Sequence, residues 1–473
     1  MTIDISSSRF GSTSSDVSHI YSHGSVLRNS SHTDKEVTEV KIRTFAAAAA
    51  IAALAITATG CSGGSGNDST EAGGKTLTYW ASNQGTSLDN DKEVLTPQLE
   101  KFEKETGIKV NLEVIGWNDL QTRIQTAVTS GQAPDVLNIG NTWAASLQST
   151  GAFMPFDDAA FTAIGGKDKF VKTAMDTGGV AGEDPTSVPL YGLAYGLYYN
   201  KAMFKDAGVT PPTTWEEMVA AAKKLTTGDV HGFSLAAGSY TENSHFAFIN
   251  AAQNGAEFFD AEGKATFTSD GIVDGIARYL DLMQADKVVA PGDAQYDNAT
   301  QAINDFATGK SAMVLSQNNA NSSIASQGMA NDAFGVVAFP APAAGKDIAT
   351  MVAGINMSIF KNTKNKDSAL AFVKFMTSED TQAALDKPFA ALPVLAGVTP
   401  TFTDDAELAK TFSDIYSNKS KPLPLVAAED QFESTVGKAM NQMFATIASG
   451  GTVSKADIKQ ALETAQQAVE AAG

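Results

Sequence analysis

The sequence predicts an α/β chain folded as two lobes, and three observations carry that expectation. At 473 residues the chain exceeds one average domain. From Leu77 to Ile139 strand-like and helix-like stretches alternate, the order that builds a parallel sheet with helices on both faces. From Pro189 to Leu225 a second strand feeds a helix, with Pro211-Pro212 as punctuation before another helix.

Taken in order, Leu77-Thr78-Tyr79-Trp80 reads as a short strand ending near Asn83-Gln84. Thr96-Pro97 opens a helix through Leu99 and Phe102, and Gly107 stops it. Ile108, Val110, Leu112 and Val114 alternate as a second strand. Asn118 or Asp119 caps a helix with Leu120, Ile124 and Val128 on one face, and Gly131 to Pro134 breaks it. Val136, Leu137 and Ile139 form a third, buried strand.

Leu193, Tyr195, Leu197 and Tyr199 alternate as a further strand, and Asn200-Lys201 opens a short helix stopped at Gly208. Thr214 and Glu217 make a capping box over a helix whose Trp215, Met218, Val219, Ala222 and Leu225 share a face. Helices follow from Asp270 through Met283 and from Ala299 to Phe306. Strands are expected at 312–315, 334–342 and 352–360, then a helix burying Leu370, Val373 and Met376. The closing segment, Gln431 to Gly473, is helical in pattern, and there is no internal repeat.

The N-terminal region has a different character. Residues 1–36 are polar and aperiodic, which reads as disorder or a misassigned start. Residues 37–60 read as a signal peptide: Lys41-Ile42-Arg43 introduces an apolar, alanine-rich run from Thr44 to Thr59, short of the roughly 20 residues that span a membrane. Cys61, the only cysteine, follows at once and looks like the lipidated cysteine of a bacterial lipoprotein, although the residue three before it is Ala58 where Leu is usual. Residues 61–74, rich in Gly, Ser, Asn and Asp, form a tether spanning on the order of 20 Å.

Composition excludes several functions. With 34 basic against 53 acidic side chains the formal charge is −19, which repels phosphate backbones and argues against nucleic acid. The exported part keeps only His231 and His245 and has no second cysteine, so no zinc set forms. Neither a GxSxG elbow nor a GxxxxGK[ST] loop occurs, so acyl transfer by that route and nucleotide hydrolysis are unsupported, and no cofactor is called for. The enzymatic rival is a glycoside hydrolase, because 53 acids make chance carboxylate pairs inevitable.

The run YYNKAMFKDAGVTPPTTWEEMVAAAKKL, Tyr198 to Leu225, closely resembles the central signature of the family 1 extracellular solute-binding proteins, the sugar receptors of bacterial ABC importers. GQAPDV, Gly131 to Val136, matches the same family, and the resemblance extends from about Leu77 to the C terminus. GNTW, Gly140 to Trp143, resembles a variant in receptors for short amino-sugar or glucose-type oligosaccharides. The resemblance implies a type II-like periplasmic-binding-protein fold with a ligand cleft between lobes joined by several crossings. One lobe is expected from 75–187 plus 350–394, the other from 188–349 plus 395–473, with crossings near Pro185–Pro189, Ala349–Gly354 and Leu392–Leu395. It also implies a carbohydrate ligand bound unchanged and delivered to permease subunits with separate ATPases. The expected receptor is a monomer, lipid-anchored on the outer face of the cytoplasmic membrane. A receptor for a non-sugar solute and a surface adhesin are the other readings.

In parallel sheets ligands bind beyond the carboxyl ends of the strands, and sugars need aromatic faces for their C–H surfaces and amides for their hydroxyls. Those rules select Asn83 and Gln84 after the first strand, Gly116 and Trp117 after the second, and Gly140 to Trp143 after the third, with Asn141 and Trp143 as the leading pair. Tyr191 at the first crossing, Tyr240 and Asn243 in a second-lobe loop, and Gln317, Asn318 and Asn319 after a later strand complete the set. Trp80 and Trp215 are assigned to packing, and Trp117 leans the same way.

Overall fold

The computed structural model describes residues 76–472. The start, the signal peptide, Cys61 and the tether lie outside the described residues. Two sheets organise the rest.

The first sheet holds β1 (Thr76–Ser82), β2 (Lys109–Ile115), β3 (Val136–Gly140), β4 (Ser187–Leu193) and, from far along the chain, β9 (Ala353–Ile359), in the order β2-β1-β3-β9-β4. β1 runs parallel to β2 and β3, whereas β9 is antiparallel to both β3 and β4. The parallel sheet expected from sequence is therefore mixed. The reversal has a topological cause: β9 comes back from the other lobe and enters at the end where β3 finishes, pairing Ile355 with Gly140. The second sheet, β6-β5-β7, is antiparallel and is built from β5 (Tyr195–Asn200), β6 (Met313–Gln317) and β7 (Phe334–Val337). A two-stranded ladder of β8 (Thr350–Met351) and β10 (Ser420–Lys421) lies beside it.

Local signals explain most element ends. Thr214 and Glu217 form the expected reciprocal capping box. The first helix, Leu88–Thr106, departs from expectation. It starts at the Ser87 cap, whose side chain accepts the Asn90 N–H, and Pro97 lies inside it. Proline is tolerated there because its face is exposed, so the Glu93 carbonyl it leaves without an i+4 donor sits at an exposed position.

The chain passes between sheets three times. β4 belongs to the first sheet, so the first passage is at Ala194, later than Pro185–Pro189. Pro189 occupies an edge strand at a register shift, where its missing N–H disrupts no ladder. The second passage is at Val352, between β8 and β9. Before the third, Leu392 still bridges Gly192 and Leu395 still bridges Phe170. The Ala396 N–H bonds the Lys169 carbonyl, and the chain then reaches the helix Ala406–Asn418 beside the second sheet.

The passages are stitched together by side chains. The Thr350 hydroxyl accepts the Tyr195 N–H at 2.9 Å. Asn318 accepts the Ala194 N–H at 2.7 Å and donates to the Ala390 carbonyl at 2.5 Å, so one fully buried amide ties two crossing segments. Truncation to Ala leaves a buried donor and a buried acceptor unpaired, each worth about 1–3 kcal/mol. Asn318→Ala is expected to lower the urea midpoint with an unchanged slope; an unchanged midpoint would rule out this clamp.

Candidate functional site

A cavity of ≈ 480 Å³ opens between the two sheets. Its first wall is the strand ends: Asn83 and Gln84 beyond β1, Gly116 and Trp117 beyond β2, Gly140 to Thr142 beyond β3, Leu193 at the end of β4, and the incoming Ala353 to Ile355 of β9. Its second wall comes from Tyr195 of β5, Ser316 and Gln317 of β6, Asn319, the start of the helix Tyr240–Gln253, and Asn298 to Thr300.

On the first wall Asp91, fully buried in the first helix, holds the turn after β1. It accepts the Gln84 N–H at 2.7 Å and the Gly85 N–H at 3.2 Å, and it bonds the Asn83 amide. Burial lifts its carboxyl above the ordinary range while these donors hold it down. The Asn141 amide donates to the Val352 carbonyl at 2.7 Å, so its oxygen is the group left for other partners. Trp117 lines the cavity, and Trp143 stacks behind it with ring centroids 4.6 Å apart and planes at 25°. Gly140 permits that stack: a Cβ there would stand 2.9 Å from Trp117 and 3.2 Å from Trp143.

On the second wall Tyr240 is the first residue of its helix, not a loop residue. Its hydroxyl points across the cavity to Gln121 of the first lobe, 3.4 Å away. Glu242 lies two residues on, and burial pushes its carboxyl up to about 8. His245 is 5% exposed, its Nδ1 2.9 Å from the Tyr195 hydroxyl and its Nε2 3.0 Å from Glu433. Asp119, Glu242 and Asp297 line the cavity, and among the described residues no Lys or Arg does. None of the described His, Asp or Glu side chains gather in a group of three or more able to hold a metal.

The structure brings Asn83, Gln84, Asn141, Tyr240, Gln317 and Asn319 to this one cavity and turns the other candidates inward. Trp143 backs Trp117 and donates its Nε1–H to Glu433 at 3.2 Å. Tyr191 is buried edge-on against Phe389. Asn243 donates to Ala237 and Asn441, each at 2.8 Å, joining its helix to the helix Glu429–Ala448. Asn318 is the crossing clamp. Trp117, which the strand-end rule reached but which was assigned to packing, lines the cavity, and so do Tyr195, Glu242 and His245, which were not selected. Trp117 was set aside because a tryptophan before a helix also packs on that helix, and Tyr195 was hidden in an alternating strand pattern.

The sequence profile of the bacterial extracellular solute-binding proteins matches residues 67–383. A multiple sugar-binding protein of Streptococcus mutans is 27% identical over 318 residues, 64% of this chain and 71% of its own. The diacetylchitobiose binding protein DasA of Streptomyces coelicolor is 24% identical over 325 residues, 68% of this chain and 73% of its own. In fold, the structure resembles an ABC transporter solute-binding protein of Thermotoga lettingae bound with α-D-tagatose. The TM-score is 0.72 at 22% identity, covering 84% of this chain and 100% of the other. Since the matched profile spans well over half of its length, this chain belongs to the bacterial extracellular solute-binding protein family.

Proposed function

We propose that this protein captures a neutral carbohydrate, an oligosaccharide above a monosaccharide, in the cleft between its lobes and delivers it unchanged to an ABC permease driven by separate ATPases. The observation that carries the reading is the pairing of Trp117, braced from behind by Trp143, with the amides of Asn83, Gln84, Asn141, Gln317 and Asn319 around one cavity. A sugar ring offers a flat C–H face to the indole and hydroxyls to the amides. The volume of ≈ 480 Å³ is within the range of small-molecule sites and equals roughly 16 waters. The lining carboxylates of Asp119 and Asp297 and the lack of a lining Lys or Arg among the described residues disfavour acidic sugars. The names of the relatives, a multiple sugar-binding protein and a diacetylchitobiose binding protein, point the same way.

Micromolar capture needs a net of about −8 kcal/mol, while each neutral hydrogen bond contributes about 0.5–1.5. Groups from both walls are therefore needed together, and lobe closure supplies them. Cys61 supplies the lipid anchor at the outer face of the cytoplasmic membrane; labelling with radioactive palmitate, abolished in Cys61→Ser, tests it.

The main test is calorimetric titration of the domain from about Lys75 against neutral, acidic and amino-sugar saccharides, with the sugar recovered afterwards. Saturable binding of an intact neutral oligosaccharide is expected. Trp117→Ala should weaken it by roughly tenfold or more, since a stacked aromatic contributes about 0.5–1.5 kcal/mol beyond its buried area. A cleaved sugar would convert the reading to a glycoside hydrolase, and binding of only non-sugar solutes would end it.

A further inference from the structure

We infer that Glu433, which does not line the cleft, is a positioning residue for ligand capture, because its one carboxylate bonds both the histidine that holds cleft-lining Tyr195 of one lobe and the tryptophan stacked behind cleft-lining Trp117 of the other. The inference rests on the reading of the cleft as the ligand site.

Glu433 is 2% exposed, in the first turns of the helix Glu429–Ala448. Its Oε1 lies 3.0 Å from His245 Nε2, and His245 Nδ1 lies 2.9 Å from the Tyr195 hydroxyl. Its Oε2 accepts the Trp143 Nε1–H at 3.2 Å, and Trp143 is the ring stacked beneath Trp117. Tyr195 and Trp117 face each other's walls of the same cavity. The chain Tyr195–His245–Glu433–Trp143–Trp117 therefore crosses from the second lobe to the first through one buried anion.

The chemistry of a carboxylate fixes the direction of both hydrogen bonds made to Glu433. It only accepts hydrogen bonds. Trp143 supplies one N–H, and His245 must supply the other from Nε2. With a neutral ring, Nδ1 is then an acceptor, and the Tyr195 O–H donates to it. The tyrosine proton is committed inward, which leaves its oxygen an acceptor beside Gln317 on the same cavity wall. A ligand meets an acceptor there, so the group opposite Tyr195 must be a donor, as a sugar hydroxyl is. Glu429, buried one turn earlier, has its carboxyl raised well above the ordinary range by burial and by the negative charge of Glu433.

Glu433→Gln separates positioning from mere support, because it preserves shape while reversing protons. Trp143 can only donate, so the glutamine oxygen must face it. The glutamine NH2 then faces His245 Nε2, which must become the acceptor, moving the ring proton to Nδ1. Nδ1–H now donates to the Tyr195 oxygen, and the tyrosine O–H is turned away from His245. All contacts survive with the cleft polarity at Tyr195 inverted.

The experiment compares wild type, Glu433→Gln, Tyr195→Phe, Trp117→Ala and the double variant Glu433→Gln/Tyr195→Phe. Imidazole nitrogen NMR reads the His245 tautomer without a ligand, and isothermal titration uses N,N′-diacetylchitobiose and maltotriose as probes. We expect the Nε2–H tautomer in wild type and Nδ1–H in Glu433→Gln, with thermal midpoints alike. Affinity for the bound probe should fall about tenfold in Glu433→Gln, with no further loss when Tyr195→Phe is added. The same tautomer in both proteins overturns the inference. So does wild-type affinity in Glu433→Gln while Trp117→Ala has lost binding, a result that leaves the cleft reading standing. Wild-type affinity in Trp117→Ala would instead remove the cleft reading on which the inference rests.

Discussion

Gly437→Ala is expected to destabilise the protein by about 2 kcal/mol and to weaken ligand binding with it. Gly437 is buried in the helix Glu429–Ala448, where that helix crosses the N-terminal end of the helix Tyr240–Gln253. A Cβ there would fall on the Tyr240 carbonyl oxygen, 2.6 Å from its carbon and 3.0 Å from the Tyr240 Cα. These are backbone atoms, so no side-chain rotation relieves the overlap, and one helix must move. Overpacking of this kind costs about 1–3 kcal/mol and occasionally more. Helix propensity opposes it by about 1 kcal/mol in favour of Ala, so the two effects predict opposite signs. Urea denaturation decides between them: a variant as stable as wild type or more so would mean that the helices separate freely. Because the displaced turn carries Tyr240 and Glu242 into the cleft, the same variant should bind sugar more weakly even where it is fully folded.

This crossing marks where sequence reading stops. Strand periodicity placed β1, β2 and β3, and the rule that ligands sit beyond strand ends reached Asn83, Gln84 and Asn141, which line one cavity. Capping chemistry located the helix after Thr214 because both partners of the box lie within three residues. What could not be read depends on contacts between segments hundreds of residues apart. Trp117 and Trp143 are equivalent as sequence, each following a strand end, yet one faces the cavity and the other lies behind it with its N–H on Glu433. Asn318 and Asn319 are neighbours of one residue type. Asn318 closes onto Ala194 and Ala390 while Asn319 faces the cavity, because successive side chains leaving β6 point in different directions. The reversed direction of β9 follows from the chain's return at Val352, which no local pattern encodes.

Asp386→Asn is expected to flatten the fall of stability with pH. Asp386 is fully buried in the helix Glu379–Phe389, and neither carboxyl oxygen has a hydrogen-bond partner among the described residues. Burial alone pushes its carboxyl from 3.8 to about 8. Between those values the native chain holds a proton that the unfolded chain has released, so stability is fully present below pH 4 and declines as pH rises through 8. One proton corresponds to about 1.4 kcal/mol per pH unit, so this group removes on the order of 4 kcal/mol between pH 5 and 8. Asn has the shape of the acid and no proton to lose. The difference in unfolding free energy, variant minus wild type, should therefore climb by several kcal/mol over that interval, whatever the variant's offset at pH 5 from its own buried amide. Glu242 and Asp293, raised to about 8 and about 7, slope the same way but are common to both proteins and cancel in the difference. So does the general repulsion within a chain of net charge −19. Parallel stability curves from pH 5 to 8 would mean that Asp386 ionises inside the folded protein at little cost, and that water or a rearranged partner reaches the space between its helix and the first sheet.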